Sequence, residues 1–433
     1  MVASRRARRG NVCLLVAFSL VFLIGAAAIA IDGGLILDDV QKVQAAADAS
    51  ALAAATQLFA NWQTEIGLDP NDKARDAALA LAATNGFAND GTDSVITPNA
   101  VDDQGKPLHG IWCPPISGDH AGQSGYVEVV IQYNQKRNFS SIYDNEPIPV
   151  RARVVAEGGW RAANAGILLL DPSKSGSLNV VGNGTMSVVG APLIVDSDAA
   201  DAVTTTGGGR IIVSPGQRLD ITGMPGYSGS GTITGTVNSG VPPTPDPLAY
   251  LSEPTPAGAA RYNKVSVSGK KVKTVSPGVY DGGISVSGRG SLVMLPGTYY
   301  MDGGGFSFTG QGNLTATGVM IVNVPKSNAD VVNINGSGAI NISPMMNGLY
   351  RGISLWQERS STNSIGVTGN GNTQIRGTFY SQHGVLNITG NGGTDVIGSQ
   401  YISYDMKVNG GGYFKVDWNA DQVARTRIMR LVE

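Results

Sequence analysis

A short template recurs through the C-terminal part of the chain and limits the fold more than any other feature. Apolar residues stand four and two positions before a Gly-x-Gly pair, and four and six after its first glycine. Leu178, Val180, Gly182, Gly184, Met186 and Val188 form one copy, and Ile284, Val286, Gly288, Gly290, Leu292 and Met294 another. Phe306, Phe308, Gly310, Gly312, Leu314 and Ala316 follow, then Val332, Ile334, Gly336, Gly338, Ile340 and Ile342. Ile365, Val367, Gly369, Gly371, Thr373 and Ile375 come next, then Leu386, Ile388, Gly390, Gly392, Thr394 and Val396. Met406, Val408, Gly410, Gly412, Phe414 and Val416 complete the set, and Val265, Val267 and Gly269 make a degenerate copy.

Alternation with period two turns one face of a short strand inward. The first glycines at 288, 310, 336, 369, 390 and 410 are 22, 26, 33, 21 and 20 residues apart, the length of one solenoid coil of two or three strands. A single coil has nothing to bury its apolar face against, so coils must stack. The spacing therefore predicts a parallel β-helix, right-handed by the crossover rule. A β-sandwich is the alternative, and sandwiches seldom keep so fixed a template. The glycines are expected at tight bends, where positive φ is permitted, and Gly310→Val is expected to be damaging if φ there is positive. Further strands are predicted at 319–322, 353–356 and 378–380. The segment 241–260, VPPTPDPLAYLSEPTPAGAA, breaks the pattern. Its prolines are unsuited to an inner strand, and it reads as an insertion lying on the helix surface.

Glycine use divides the chain. Of 59 glycines, 47 lie from Gly158 onward, which marks a boundary near residues 155–165. The N-terminal side opens with Arg5, Arg6, Arg8 and Arg9, followed by an uncharged run from Val12 to Ile31. As a helix those 20 residues rise about 30 Å, the thickness of a hydrocarbon core. Arginines before the run and acids after it, from Asp32 on, give a positive-inside signal. The expectation is a single-pass protein with its N-terminus in the cytoplasm and its bulk periplasmic or extracellular. A cleaved signal peptide ending at Ala28-Ile29-Ala30 is the rival reading, and it also exports the rest. Gln41 to Ala55 is rich in alanine, without Gly or Pro, so the helix should continue to about Phe59 or Trp62.

Arg9-Gly10-Asn11, the apolar span, Ile31-Asp32-Gly33-Gly34, and Val43-Gln44-Ala45-Ala46-Ala47-Asp48-Ala49-Ser50-Ala51-Leu52-Ala53 together resemble the TadE/TadG-like N-terminal domain of Flp-type (tight adherence) pilus assembly. The resemblance covers about the first 60 residues. It implies pilus-assembly or secretion components as partners, beside the membrane held through residues 12–31. The chain departs from pilins in having no Glu after Gly10 within the apolar run, which removes the acid used for helical assembly.

Asp69-Pro70-Asn71-Asp72 reads as a helix start, with Asp69 capping and Pro70 in the first turn, and the helix should stop at Gly86. Strands are predicted at 126–131 and 148–155 from their β-branched residues. A strand pair around a connection containing Phe139 also resembles the extracytoplasmic part of TadG-like proteins. The predicted fold is thus mainly β, in three parts: a basic tip, transmembrane helix and helical extension over 1–62, a small α+β region over 63–160, and the β-helix over 161–433.

Polysaccharide lyases and hydrolases on β-helices need paired carboxylates, or a carboxylate with Arg or Lys, on one face. Asp281, Asp302, Asp395, Asp405 and Arg376 do not recur at one template position, so the chain is read as a structural or binding protein, with surface polysaccharide as a ligand class and a tethered enzyme as the alternative. His109, His120 and His383 lack metal-ligand spacing. Asn391-Gly392-Gly393-Thr394-Asp395 misses the Gly-Gly-x-Gly-x-Asp calcium repeat, and no helix follows the Gly-x-Gly pairs as a phosphate loop requires. No cofactor is expected. A net charge of −2 gives no field for nucleic acid. Cys13 and Cys113 lie on opposite sides of the span's end and form no disulfide framework. Asn138, Asn183, Asn313, Asn335, Asn341 and Asn387 head Asn-x-Ser/Thr sequons, which matter only under a glycosylating pathway and otherwise suit turns.

Overall fold

The computed structural model describes residues 9–97, 101–105, 107–142, 145–369, 372–390 and 394–433. The chain divides into two compact units, residues 1–160 with 427–433, and residues 161–426.

In the first unit helix α1, Arg9–Ala60, is continuous through the apolar run and the alanine-rich stretch. A short turn, α2, Trp62–Glu65, and helix α3, Lys73–Thr84, follow. Asp69 does cap α3, its carboxylate accepting the Ala74 and Arg75 N–H groups at 3.0 and 2.9 Å. Pro70 lies upstream of the first turn rather than in it, because Asp72 takes a left-handed conformation at the N-cap. Strands β1, Ser94–Val95, and β2, Gly110–Trp112, both pair antiparallel with β3, Tyr126–Gln135. β3 pairs antiparallel along its whole length with β4, Ile148–Ala162. The C-terminal strand Arg425–Leu431 joins β4 instead of adding to the solenoid.

Small side chains decide how this unit packs. Ala46, Ala47, Ala51, Ala54 and Ala55 of α1 and Ala74, Ala78 and Ala82 of α3 are buried with Val127, Val129, Ile131 and Val154 of the sheet. Close approach leaves no room at Gly158, where a Cβ would overlap the Ala55 backbone.

The second unit is a parallel β-solenoid. The first inward residues of five successive template copies land inside: Phe306 pairs in register with Val332, Val332 with Ile365, Ile365 with Leu386, and Leu386 with Met406. All of them belong to one continuous core. The glycine pairs do stack along an edge, but positive φ is not their common reason. Gly310 and Gly312 have ordinary φ. They are required because successive backbones touch, and a Cβ at Gly310 would lie 3.0 Å from the Gly288 carbonyl oxygen. Gly371 and Gly392 fall outside the described residues.

One ten-stranded sheet gives the stacking order. It runs Thr232–Thr234, Arg210–Val213, Thr185–Val189, Tyr413–Asp417, Thr394–Ile397, Thr373–Ile375, Ile340–Ser343, Leu314–Thr317, Ser291–Met294 and Val272–Val275. This is not chain order. The chain enters mid-stack and winds three coils to one end. It re-enters at the far end near Arg261 and winds back until Met406 pairs with Leu178 and Phe414 with Met186. Entry and exit meet, since Ala163 N–H donates to the Ala424 carbonyl at 3.0 Å. The proline-rich segment is therefore the return connection between the two ends rather than an insertion into one coil. Nine spacings of about 4.8 Å make a stack about 43 Å long. Twenty residues as a helix would reach about 30 Å, whereas an extended polyproline-like chain reaches about 62 Å. Prolines suit this segment because it has to stay extended.

Candidate functional site

Two regions present surfaces that the fold does not use up. The first is α1. It is long and apolar enough to cross a membrane, and its large side chains from Val12 to Leu37 are mostly exposed. Asp32 ends the uncharged run. Its carboxylate does not face water: Oδ2 accepts the Ser140 N–H at 2.7 Å and Oδ1 the Phe139 N–H at 3.2 Å. The Asp-Gly motif and the Phe139 connection, read separately in the sequence, are thus joined by the structure.

The second region is the solenoid wall. One outward row is apolar and in register: Ile194, Leu168, Ile402, Tyr380, Trp356, Val322, Tyr300 and Val279. On a bare solenoid this would be an exposed aromatic groove. Here the return connection lies over it, burying its own Leu248 and Leu251. Arg359 fixes the strap, donating from Nη1 to the Leu251 carbonyl and from Nη2 to the Leu248 carbonyl, each at 2.8 Å. Its guanidinium lies 4.9 Å from the centre of the Trp356 ring. Trp356 Nε1 donates to Glu253 at 2.9 Å, Tyr380 Oη to Asp246 at 2.7 Å, and Tyr300 Oη to the Thr255 carbonyl at 2.8 Å.

Asp196 closes the strap at its other end, accepting the Thr244 N–H at 2.8 Å. Burial pushes its carboxyl up to about 6, against the lowering effect of that hydrogen bond. A raised carboxyl favours folding while protonated, and its contribution is lost as pH rises from about 4 to about 6. Asp196→Asn keeps an acceptor without the charge. It is expected to flatten the pH 4–6 slope of stability and to raise stability at pH 7 by about 1–2 kcal/mol. Denaturation midpoints across that range check this, and an unchanged slope would contradict it.

The adjoining outward row is polar along the whole stack. Ser266, Ser285, Ser307, Asn333, Gly366, Asn387, Lys407, Asn179, Thr204 and Ser228 follow one another in register. It carries one cation, no acid and no aromatic ring.

The candidate catalytic residues do not form one cluster. Asp281 and Asp302 do occupy adjacent coils in register. Arg261 bridges both, Lys326 lies 2.7 Å from Asp302, and these hydrogen bonds hold Asp302 below the usual carboxylate range. The sequence held a sign of this pair, since each Asp directly precedes a Gly-Gly in a Pro-Gly-containing segment: Pro277-Gly278-Val279-Tyr280-Asp281 and Pro296-Gly297-Thr298-Tyr299-Tyr300-Met301-Asp302. Asp405 is buried elsewhere against Lys174, and burial raises its carboxyl. Arg376 contacts Gln422 at 3.3 Å. The Asp395 side chain lies outside the described residues.

His109 is buried, which lowers its pKa, while His120 stacks on Tyr126 at 4.1 Å and His383 Nδ1 contacts the Arg359 carbonyl at 2.6 Å. Among the described residues no group of three or more His, Cys, Asp or Glu is placed to hold a metal. Cys113 is an unbridged, half-buried thiol whose pKa burial pushes up.

No curated protein and no solved structure matches the chain. The recognisable part is the N-terminal segment, where Asp32 and the alanine face of α1 lie: residues 10–57 match the Flp pilus-assembly TadE/G-like family and carry a domain of that type.

Proposed function

We propose that this chain is a membrane-anchored, extracytoplasmic structural and binding protein of Flp pilus assembly or of the cell envelope, and not an enzyme. The observation that carries the reading is α1. One helix holds a membrane-length apolar stretch, the TadE/G-like match, and the alanine face that docks a folded unit. Arg5, Arg6, Arg8 and Arg9 keep the N-terminus cytoplasmic, so the solenoid lies outside. The solenoid serves as spacer and binding module. Its row of hydroxyl and amide groups, with Lys407 as its one charge, offers both donors and acceptors, and it suits a hydroxyl-rich polymer such as surface polysaccharide.

The adjacent Asp281 and Asp302 favour a second reading, a membrane-tethered polysaccharide lyase or hydrolase. It ranks lower because Arg261 and Lys326 already engage both carboxylates. Release of sugar products by the intact chain, lost in Asp302→Asn, would promote it. The test of the first reading is cross-linking in native membranes followed by purification of the chain. Recovery of pilus-assembly or secretion components supports it. Recovery of none beyond those captured by a chain lacking residues 1–31 overturns it.

A further inference from the structure

The apolar surface of α1 does not stop where its first acid stands. Asp32 is 7% exposed, because the Phe139 and Ser140 N–H groups cover its carboxylate. Beyond it Leu35 and Leu37 are exposed, Leu37 by 67%. The first acid of α1 that faces solvent freely is Asp38, whose side chain is 55% exposed in a pair with Lys42. From Val12 through Leu37 the helix thus shows 26 residues without an exposed charge. They rise about 39 Å, more than the ~30 Å hydrocarbon core and short of the ~40–45 Å bilayer with both headgroup layers. Residues 32–37 therefore fall at interfacial depth when 12–31 fill the core.

The connection after β3 is fastened at that depth. Asp32 holds it by the backbone N–H groups of Phe139 and Ser140, and the Phe139 ring, two residues beyond the basic pair Lys136-Arg137, is 48% exposed. Lys136 is widely exposed and pairs with Asp93 at 3.2 Å, while Arg137 Nε donates to the Glu146 carbonyl at 2.7 Å. An exposed aromatic ring held next to the end of a membrane span is the arrangement that seats side chains in the headgroup layer.

We propose that residues 136–142 form a second lipid contact, with Phe139 lodged in the interfacial layer of the bilayer and Asp32 as the residue that positions it. The apolar span anchors the chain, and this contact sets the rotation and depth of the first unit against the membrane. The inference rests on the membrane-anchor reading, so the test reads both separately.

The full chain is reconstituted into phosphatidylcholine vesicles as Phe139→Trp, beside the unsubstituted chain. Vesicle flotation reports the anchor, and tryptophan quenching by lipids labelled near the headgroup or deep in the tail reports the loop. The expected result is flotation of both chains, with added emission in the variant that is blue-shifted and quenched at least twofold more by the shallow label than by the deep one. Adding Asp32→Ala is expected to abolish that difference while flotation persists. Failure to float would overturn the anchor reading itself. Flotation with quenching no greater than in the unsubstituted chain would overturn the lipid contact alone. Shallow quenching that survives Asp32→Ala unchanged would remove Asp32 from the proposal.

Discussion

Ile334→Ala is expected to destabilise the solenoid by about 2–5 kcal/mol, while Asn335→Ala costs about 0.5 kcal/mol or less. The two residues are neighbours in sequence and opposite in surroundings. Ile334 is fully buried and pairs with Phe308 on one side and Val367 on the other. Asn335 is exposed and leaves no unpaired partner behind. Denaturant midpoints of the two variants check the contrast. Equal sensitivity at both positions would mean that the strands are folded in another register.

Gly338→Ala should be at least as damaging, at about 3 kcal/mol or more, although it adds one methyl group. A Cβ there would lie 2.7 Å from the Gly312 carbonyl carbon and closer still to its oxygen. Those are backbone atoms of the next coil, and they cannot retreat without opening the ladder between Leu314 and Ile340. Gly411 is the control. Nothing lies within 4 Å of a Cβ built on it, so Gly411→Ala is expected to change stability by about 0.5 kcal/mol or less. Thermal melts of both variants decide the matter. Similar losses at the two sites would point to chain entropy, not contact between coils, as the reason for the glycines.

The alternation made the inward face of each strand readable, because period two assigns a side chain to core or solvent without knowledge of its neighbour. Phe306, Ile334, Ile365 and Leu386 all lie where that rule puts them. The same rule is blind to which coil meets which. Every copy satisfies one template, so nothing in Leu178 and Val180 announces that their partners are Met406 and Val408 rather than residues of the following coil alone. The prolines of 241–260 did signal a break, but only the stack shows that the break spans its length. The glycines were legible as a pattern and not as a cause. Close backbone approach and left-handed φ leave the same letter in the sequence, and here Gly312 and Gly338 answer to the first. Asp32 was legible as part of a family-like motif. Its work, holding the Phe139 connection across more than a hundred residues of chain, depended on contacts that no local pattern encodes.

The proposed function requires that α1 anchor the chain and that the solenoid lie outside the cytoplasm. Fusing a reporter that is active only outside the cytoplasm after Glu433 tests this most directly, with a variant that reverses the charge of Arg5, Arg6, Arg8 and Arg9 beside it. The predicted result is full reporter activity in a membrane fraction that resists high-salt extraction, strongly reduced by the charge reversal. An inactive exported reporter together with an active cytoplasmic one on the unmutated chain would contradict it.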